Sequence, residues 1–149
     1  MKRFAVLALA LVAACDQPKP QPVSTLADKA VVKESARPTR YGMVTGIKPE
    51  KLDHYKQLHA NPWPQVIKKL ADCNIQNYSI YLQKIEQRYW LFSYFEYTGN
   101  NFDADMQKMA ADTTTQRWWR ETDPCQLPLP EAIEKKQVWT SMQEVFHCN

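Results

Sequence analysis

The sequence predicts an α+β sandwich whose elements follow in the order βαββαβ, as in ferredoxin-like folds. Two stretches with apolar residues at three-to-four spacing indicate amphipathic helices. Runs rich in β-branched and aromatic residues alternate with them, and two of these runs are separated only by "KIEQ". The chain length of 149 residues fits one domain large enough for a hydrophobic core.

The composition excludes several classes of function. Only three glycines are present, so a glycine-rich phosphate-binding loop is not expected. The formal net charge is +3, and it falls further if the N-terminal Lys2 and Arg3 are removed during export. Such a nearly neutral chain gives no electrostatic argument for a nucleic-acid partner.

The N-terminus has the pattern of an export signal. Lys2 and Arg3 precede the apolar run "FAVLALALVAA", which is too short to span a bilayer as a helix. The run ends in "VAAC", which resembles the lipobox of bacterial lipoproteins. This resemblance implies that residues 1–14 are removed and that Cys15 becomes the lipidated first residue, anchored in a membrane on the periplasmic side. The alternative is an ordinary secretory signal whose Ala-Ala happens to precede a cysteine.

A tether follows the proposed lipid anchor. Residues 15–39 begin with Cys15 and are rich in proline, at positions 18, 20, 22 and 38. Proline-rich polar chain stays extended and buries little surface. We therefore expect the folded domain to cover residues 40–149.

The first half of the domain reads as strand, helix and two further strands. "RYGMVTGI" predicts the first strand, and "EKLDHYKQLHA" predicts a helix. "NPWP" interrupts this helix, because Pro62 and Pro64 disfavour helical backbone in the residues before them. The helix resumes in "PQVIKKLADC". The runs "IQNYSIYLQ" and "RYWLFSYFEY" then predict two strands.

The second half repeats the pattern of helix and strand. "FDADMQKMAAD" predicts a helix, which "TTTQRWWRETD" either continues or restarts. "PCQLPLPE" contains three prolines and predicts a loop, and "QVWTSMQEVFHC" predicts the last strand.

Several separated motifs resemble one known family. "LHANPWPQV", "NYSIYL", "LFSYFEY", "QRWWRETDPCQ" and "MQEVFH" occur in this order in the L-rhamnose mutarotase family, over roughly residues 40–147. Members of that family are dimeric α+β-barrel enzymes that interconvert the α and β anomers of a deoxy-sugar. The resemblance implies a homodimeric mutarotase acting on L-rhamnose or a related 6-deoxy-hexose such as L-fucose. We expect it to need no cofactor.

One histidine has the chemistry that mutarotation needs. The reaction delivers a proton to the ring oxygen and removes one from the anomeric hydroxyl, and a histidine can do either near neutral pH. His59 follows Tyr55 by four residues, so both lie on one face of the first helix. The resemblance implies that His59 is the proton donor and that Tyr55 contacts the sugar. The alternative is that both side chains belong only to the core.

Two adjacent tryptophans suit a sugar ligand. Neighbouring side chains on a helix point about 100° apart, so a narrow core stripe cannot bury both Trp118 and Trp119. Indole rings stack on the C–H surface of a sugar, and the indole N–H can bond a hydroxyl. The resemblance assigns both tryptophans, together with Tyr78, to the sugar pocket. The alternative is that one tryptophan packs in the core and only the other contacts the ligand.

Two rival functions come from other classes. One is a non-catalytic sugar-binding lipoprotein with the same pocket, although such a binder would not need His59. The other is a cofactor-free or haem-linked monooxygenase of the α+β-barrel type, which the motifs do not resemble. The polar residues Asn61, Asp123, Gln126 and Glu144 receive no role from the sequence.

The cysteines do not indicate a metal site. Cys73, Cys125 and Cys148 lack the spacing of zinc ligands, so no metal is expected. The predicted topology places Cys73 and Cys148 at opposite sheet edges, so we expect no disulfide between them within one chain.

The predicted sheet leaves one face uncovered by helices. Aromatic residues such as Tyr89, Tyr94 and Phe95 crowd a central strand, and alternation places some of them on each face. Exposing such a face to water is unfavourable, so we expect a symmetric dimer that packs sheet against sheet.

The lipid anchor is tested by replacing its attachment residue. The wild-type protein should fractionate with membranes, and Cys15→Ser should move it to the soluble fraction, because the thiol that would carry the lipid is gone. Immunoblots of separated fractions measure this distribution. Cys148→Ser leaves the signal intact and should stay with the membranes. A wild-type protein found in the soluble fraction would contradict the lipobox interpretation.

Overall fold

The computed structural model describes residues 37–148. The predicted signal over residues 1–14, the lipidated Cys15 and most of the tether lie outside the described residues. Within residues 37–148, every helix is too short and too polar to cross a bilayer.

The core of the fold is one antiparallel sheet. Strand β1 lies in the interior of the sheet. One side of β1 pairs with β3, whose other side pairs with β2, and the opposite side of β1 pairs with both β4 and β5. The strands are β1 (Thr39–Ile47), β2 (Ile75–Ile85), β3 (Arg88–Tyr97), β4 (Gln126–Leu127) and β5 (Thr140–Met142). With β5 as the fourth strand, this arrangement confirms the predicted α+β, ferredoxin-like fold class.

Within residues 37–148, five α-helices connect the strands. They are α1 (Leu52–Ala60), α2 (Pro64–Asp72), α3 (Phe102–Ala110), α4 (Thr113–Thr122) and α5 (Pro130–Glu134). Single turns of 3₁₀ helix at Pro49–Lys51 and Asp123–Cys125 precede α1 and follow α4. The alternate residues Leu91, Phe95 and Tyr97 of β3 are buried, which shows which sheet face the helices cover.

The helix boundaries follow from proline and capping chemistry. Helix α1 ends before Pro62, and α2 begins at Pro64, as the sequence predicted. Asn101 caps α3 by accepting a hydrogen bond from the Ala104 amide at 3.1 Å. Asp112 caps α4 by accepting one from the Thr115 amide at 2.8 Å. The second helical stretch therefore restarts at α4 instead of continuing.

Two apolar clusters fill the space between the helices and the sheet. The first contains Ile47, Leu52, Tyr55, Leu91 and Cys125. The second contains Cys73, Ile75, Phe95 and Met109. Both clusters join a strand of the sheet to helices on the same face, so together they fix the helical layer.

Two predictions about the last third of the chain are wrong. The segment 124–131 is not a plain loop, because Pro124 and Pro130 stand in the first turns of short helices, where a missing N–H costs nothing. The last strand does not extend to residue 148, because its pairing with β1 covers only Gly42–Val44. Beyond that point, Arg40 forms a bidentate ion pair with Glu144, at 2.7 and 2.9 Å, in place of a backbone ladder.

A close backbone contact holds β4 against β1. A Cβ atom at Gly46 would lie 2.9 Å from the carbonyl oxygen of Leu127, so a side chain there would push β4 away. We expect Gly46→Ala to lower the free energy of unfolding by about 1–3 kcal/mol, as overpacking does. Chemical denaturation measures this change.

Gly42→Ala provides a matched control on the same strand. A Cβ atom there would meet the terminal methyl of Met142 at 3.2 Å, and this flexible side chain can move. The free energy of unfolding should then change by less than about 0.5 kcal/mol. Equal losses in the two variants would show that β4 is not held by this contact.

Candidate active site

A cavity of about 460 Å³ lies on the helical side of the sheet, bordered by both apolar clusters. Its lining includes all five residues that the sequence analysis assigned to the sugar site: Tyr55, His59, Tyr78, Trp118 and Trp119. They come from α1, β2 and α4, so the fold brings together positions that are far apart in the chain. The volume is within the range of small-molecule sites.

Helix α1 holds His59 in one tautomer. His59 Nδ1 lies 2.9 Å from the carbonyl oxygen of Tyr55, one helical turn earlier. Because a carbonyl oxygen only accepts hydrogen bonds, Nδ1 carries the hydrogen. The neutral ring therefore keeps the lone pair of Nε2 for accepting a proton. The two rings also stack, with their centroids 4.1 Å apart, which fixes the imidazole plane.

Burial shifts the pKa values of these groups in opposite directions. Burial lowers the pKa of His59 below its ordinary 6.5, and the hydrogen bond to the Tyr55 carbonyl offsets part of this. Burial raises the pKa of Tyr55 far above its ordinary value, and the nearby Tyr78 adds to this. Burial also raises the pKa of Tyr78 to about 12. At neutral pH the cavity thus contains a neutral imidazole and two protonated phenols.

A β-bulge turns Tyr78 toward the cavity. The register between β2 and β3 shifts between Gln76 and Ser79, and Asn77 has a left-handed backbone with φ of 51°. The extra residue reverses the alternation, so Tyr78 faces the helices, where its ring packs edge-on against Phe95 at 5.7 Å. Strand alternation correctly places Tyr78 and Ile80 on the same face of β2. The sequence did not predict the bulge that turns this face toward the helices.

Glu96 fixes this bulge from the neighbouring strand. Its carboxylate accepts hydrogen bonds from Gln76 Nε2 at 2.9 Å and from Asn77 Nδ2 at 2.7 Å. Asparagine tolerates left-handed backbone better than most residues. The asparagine in "QNY" was thus a signal for the bulge, although the sequence alone does not show which carboxylate would hold it.

Both tryptophans line the cavity, with different degrees of burial. Trp118 is 7% exposed and packs edge-on against His59, with ring centroids 5.3 Å apart. Trp119 is half-buried and packs against the second apolar cluster. Each indole thus combines core packing with a place in the cavity wall, and the contact of each with the sugar stays a prediction.

Another tryptophan supports the site, although the sequence did not indicate it. Trp63, in the "NPWP" segment, packs edge-on against Trp118 at 5.4 Å. The Arg117 guanidinium lies over the Trp63 ring, 5.3 Å from its centroid. The two flanking prolines, which hold the Trp63 backbone between α1 and α2, were the available signal.

The turn after α4 adds two polar residues to the lining, Asp123 and Gln126. Burial raises the pKa of Asp123, and a hydrogen bond from Thr122 offsets part of this. Gln126 is 5% exposed, and its Nε2 donates a hydrogen bond to the Tyr55 hydroxyl at 3.4 Å. The sequence alone assigns neither residue a role.

The described residues do not assemble an obvious metal-ligand group. Among residues 37–148, His, Cys, Asp and Glu side chains nowhere gather in threes at ligating distance. Cys73 and Cys125 are buried thiols, and burial raises the pKa of each. The polar lining includes the His59 imidazole, the Tyr55 and Tyr78 phenols, the Gln126 amide and the Asp123 carboxylate, and Lys136 and Gln137 also border the cavity.

Comparisons with known proteins agree with the motifs. The family model described as L-rhamnose mutarotase matches residues 40–148. The L-rhamnose mutarotase of Oceanobacillus iheyensis is 32% identical over 110 residues, covering 74% of this chain and 98% of the relative. That of Bacillus subtilis is 32% identical over 94 residues, covering 60% and 86%.

A solved structure has the same fold. The crystal structure of L-rhamnose mutarotase FA22100 from Formosa agariphila superposes with a TM-score of 0.56 at 20% identity. The match covers 74% of this chain and 99% of that one. Since the family model spans most of the chain and a relative above 30% identity is covered almost completely, this chain belongs to the L-rhamnose mutarotase family.

Proposed function

We propose that this protein is a mutarotase that interconverts the α and β anomers of L-rhamnose or a related 6-deoxy-hexose. The observation that carries the proposal is the pair formed by His59 and Tyr55 in one aromatic-walled cavity. One of these groups accepts a proton at neutral pH and the other can donate one. Ring opening of a cyclic sugar needs both.

The reaction follows from the protonation states of the two side chains. In ring opening, His59 Nε2 takes the proton of the anomeric hydroxyl, the bond from the anomeric carbon to the ring oxygen breaks, and the Tyr55 hydroxyl protonates that oxygen. The aldehyde then rotates about its bond to the next carbon. In ring closure both protons return along the reverse path. His59 thus donates its proton in the closing step, whereas the family resemblance implies a proton donor without naming the step.

The aromatic side chains supply the binding surface. Trp118 and Trp119 offer indole faces to the C–H bonds and the methyl group of a deoxy-sugar. The Tyr78 hydroxyl remains protonated and can bond a sugar hydroxyl. These contacts bind both anomers, whereas His59 and Tyr55 act at the anomeric centre, whose configuration differs between them.

Removal of His59 tests the catalytic proposal. We expect His59→Ala to slow anomer exchange by about 10²–10⁴-fold, which is the usual contribution of a general acid–base group. Saturation-transfer NMR on a panel of deoxy-sugars measures exchange, and calorimetric titration should show little change in sugar affinity. His54→Ala is the matched control, because this exposed histidine is on the same helix and should leave exchange unchanged. Wild-type protein that binds a deoxy-sugar but leaves exchange at the uncatalysed rate would be a binding protein instead.

The pH dependence tests the direction of proton transfer. Neutral His59 is lost as the pH falls through its lowered pKa, which lies below 6.5. After subtraction of the uncatalysed rate, kcat/KM should therefore be level between about pH 7 and 8 and fall on acidification below that range. A rise on acidification would mean that protonated His59 starts the opening step.

We also propose that the protein is a homodimer. The sheet face opposite the helices carries the side chains of Val44, Tyr81, Trp90, Phe92, Tyr94 and Met142. Tyr81 is 62% exposed and Met142 is 40% exposed. A sheet face formed by these six side chains favours burial. An isologous pairing of two copies would bury this face on both copies at once.

A charge on the open sheet face tests the dimer. Tyr81→Lys places two cations in a two-fold interface, so it should convert the dimer to monomer in light scattering at micromolar concentration. Ile133→Lys is the matched control, because Ile133 is equally exposed, at 62%, but is on α5. Monomeric wild-type protein under these conditions would contradict the proposal.

We further propose that lipidation of Cys15 holds this domain on the periplasmic side of a membrane. The support is the charged start, the short apolar run and the "VAAC" sequence. The proline-rich segment that follows would separate the domain from the bilayer surface.

A further inference from the structure

Backbone contacts hold the turn that follows α4 and carries Gln126. Its backbone pairs with Ile47 at the end of β1. The preceding residue, Cys125, is 1% exposed, and its carbonyl oxygen accepts a hydrogen bond from the Lys48 amide at 2.9 Å. Contacts on both sides of the turn thus fix the position from which the Gln126 side chain enters the cavity.

One end of the Gln126 amide is bonded and the other is not. Its Nε2 donates to the Tyr55 hydroxyl at 3.4 Å. Its Oε1 is buried and has no hydrogen-bond partner among the described residues. An unsatisfied buried acceptor costs about 1–3 kcal/mol, so a protein keeps one where something else supplies the donor.

The location of this oxygen separates it from the other unsatisfied atoms. Thr45 Oγ1, Ser93 Oγ and Thr140 Oγ1 are also buried without partners among residues 37–148, but those three residues are not part of the cavity lining. Gln126 is part of it and is 95% buried, being 5% exposed. Of the four residues, Gln126 alone borders the cavity, so its side chain is the one that lies next to a bound ligand.

We propose that Gln126 is a specificity-determining and positioning residue of the sugar site. Its Oε1 accepts a hydrogen bond from one hydroxyl of the bound sugar, and its Nε2 holds the Tyr55 hydroxyl so that the phenol proton points to the ring oxygen. This inference rests on the proposed function, because it names a residue of the same site.

An amide suits both tasks better than a carboxylate would. An amide N–H donates to the Tyr55 oxygen and leaves the phenol proton available for the sugar. A carboxylate only accepts, so it would draw the phenol proton toward itself. Gln126→Glu should therefore keep an acceptor for the sugar hydroxyl and still lower kcat, whereas Gln126→Met loses both contacts at similar volume.

The test pairs substitutions in the protein with deletions in the ligand. Calorimetric titration compares L-rhamnose with its analogues that each lack one ring hydroxyl, on the wild type and on Gln126→Met. We expect one analogue to bind the wild type about 10-fold more weakly than L-rhamnose. Gln126→Met should bind that analogue and L-rhamnose equally, because the partner of the missing hydroxyl is gone.

Two further variants keep the result interpretable. Gln137→Met changes another glutamine of the cavity lining, and it should keep the 10-fold discrimination of the wild type, about the effect of one hydrogen bond. If Gln126→Met fails to fold, Gln126→Asn shortens the side chain by one carbon while keeping an amide, and it should also lose the discrimination. Discrimination that is unchanged in the Gln126 variants would overturn the inference.

The outcome separates this inference from the proposed function. If the wild type catalyses exchange but Gln126→Met discriminates between L-rhamnose and its analogues as the wild type does, Gln126 loses its role and the mutarotase proposal stays intact. If Gln126→Met loses that discrimination but the wild type does not catalyse exchange, Gln126 remains a binding residue and the mutarotase proposal is removed. A wild-type protein that binds none of these sugars would overturn both.

Discussion

The pairing of β1 along both of its edges is the constraint on which the rest of the structure depends. Its full length, Thr39–Ile47, pairs with β3 on one side. On the other side, β4 and β5 have only two and three residues, too few to form a sheet without β1. Each of these short strands carries part of the cavity wall, because Gln126 is in β4 and Trp139 directly precedes β5. The position of β1 therefore determines one whole side of the site.

Burial of the His59 and Tyr55 side chains sets the proton chemistry of the cavity. Burial disfavours the charged form of every group, so one physical cause lowers the pKa of His59 and raises that of Tyr55. The consequence is a base and an acid that are both in the needed state at neutral pH. In the proposed reaction the proton that His59 gains and the proton that Tyr55 loses are exchanged through the sugar, so each opening and closing leaves the site as it began.

The sequence predicted the features that depend on local chemistry and on the family motifs. Pro62 and Pro64 fixed the break between α1 and α2, and the spacing of Tyr55 and His59 placed both on one helix face. The sequence did not predict the features that depend on pairing with residues far away in the chain. The length of β5 depends on how far β1 pairs with it, and the place of Gln126 depends on a two-residue strand that no periodicity reveals.

The bulge in β2 connects these observations. Alternation assigns the helix-facing side of β3 to Leu91 and Phe95 and the open side to Phe92 and Tyr94, and a register slip of one residue in β3 would exchange them. The bulge lies in the edge strand β2, where one extra residue reverses which side chains face the helices and so turns Tyr78 toward the cavity. The pairing of β1 with β3 stays intact. Strand β3 thus carries cavity residues on one face and the proposed dimer surface on the other. Because both faces share one backbone, any shift of β3 in the proposed interface would also move Phe95, against which Tyr78 packs.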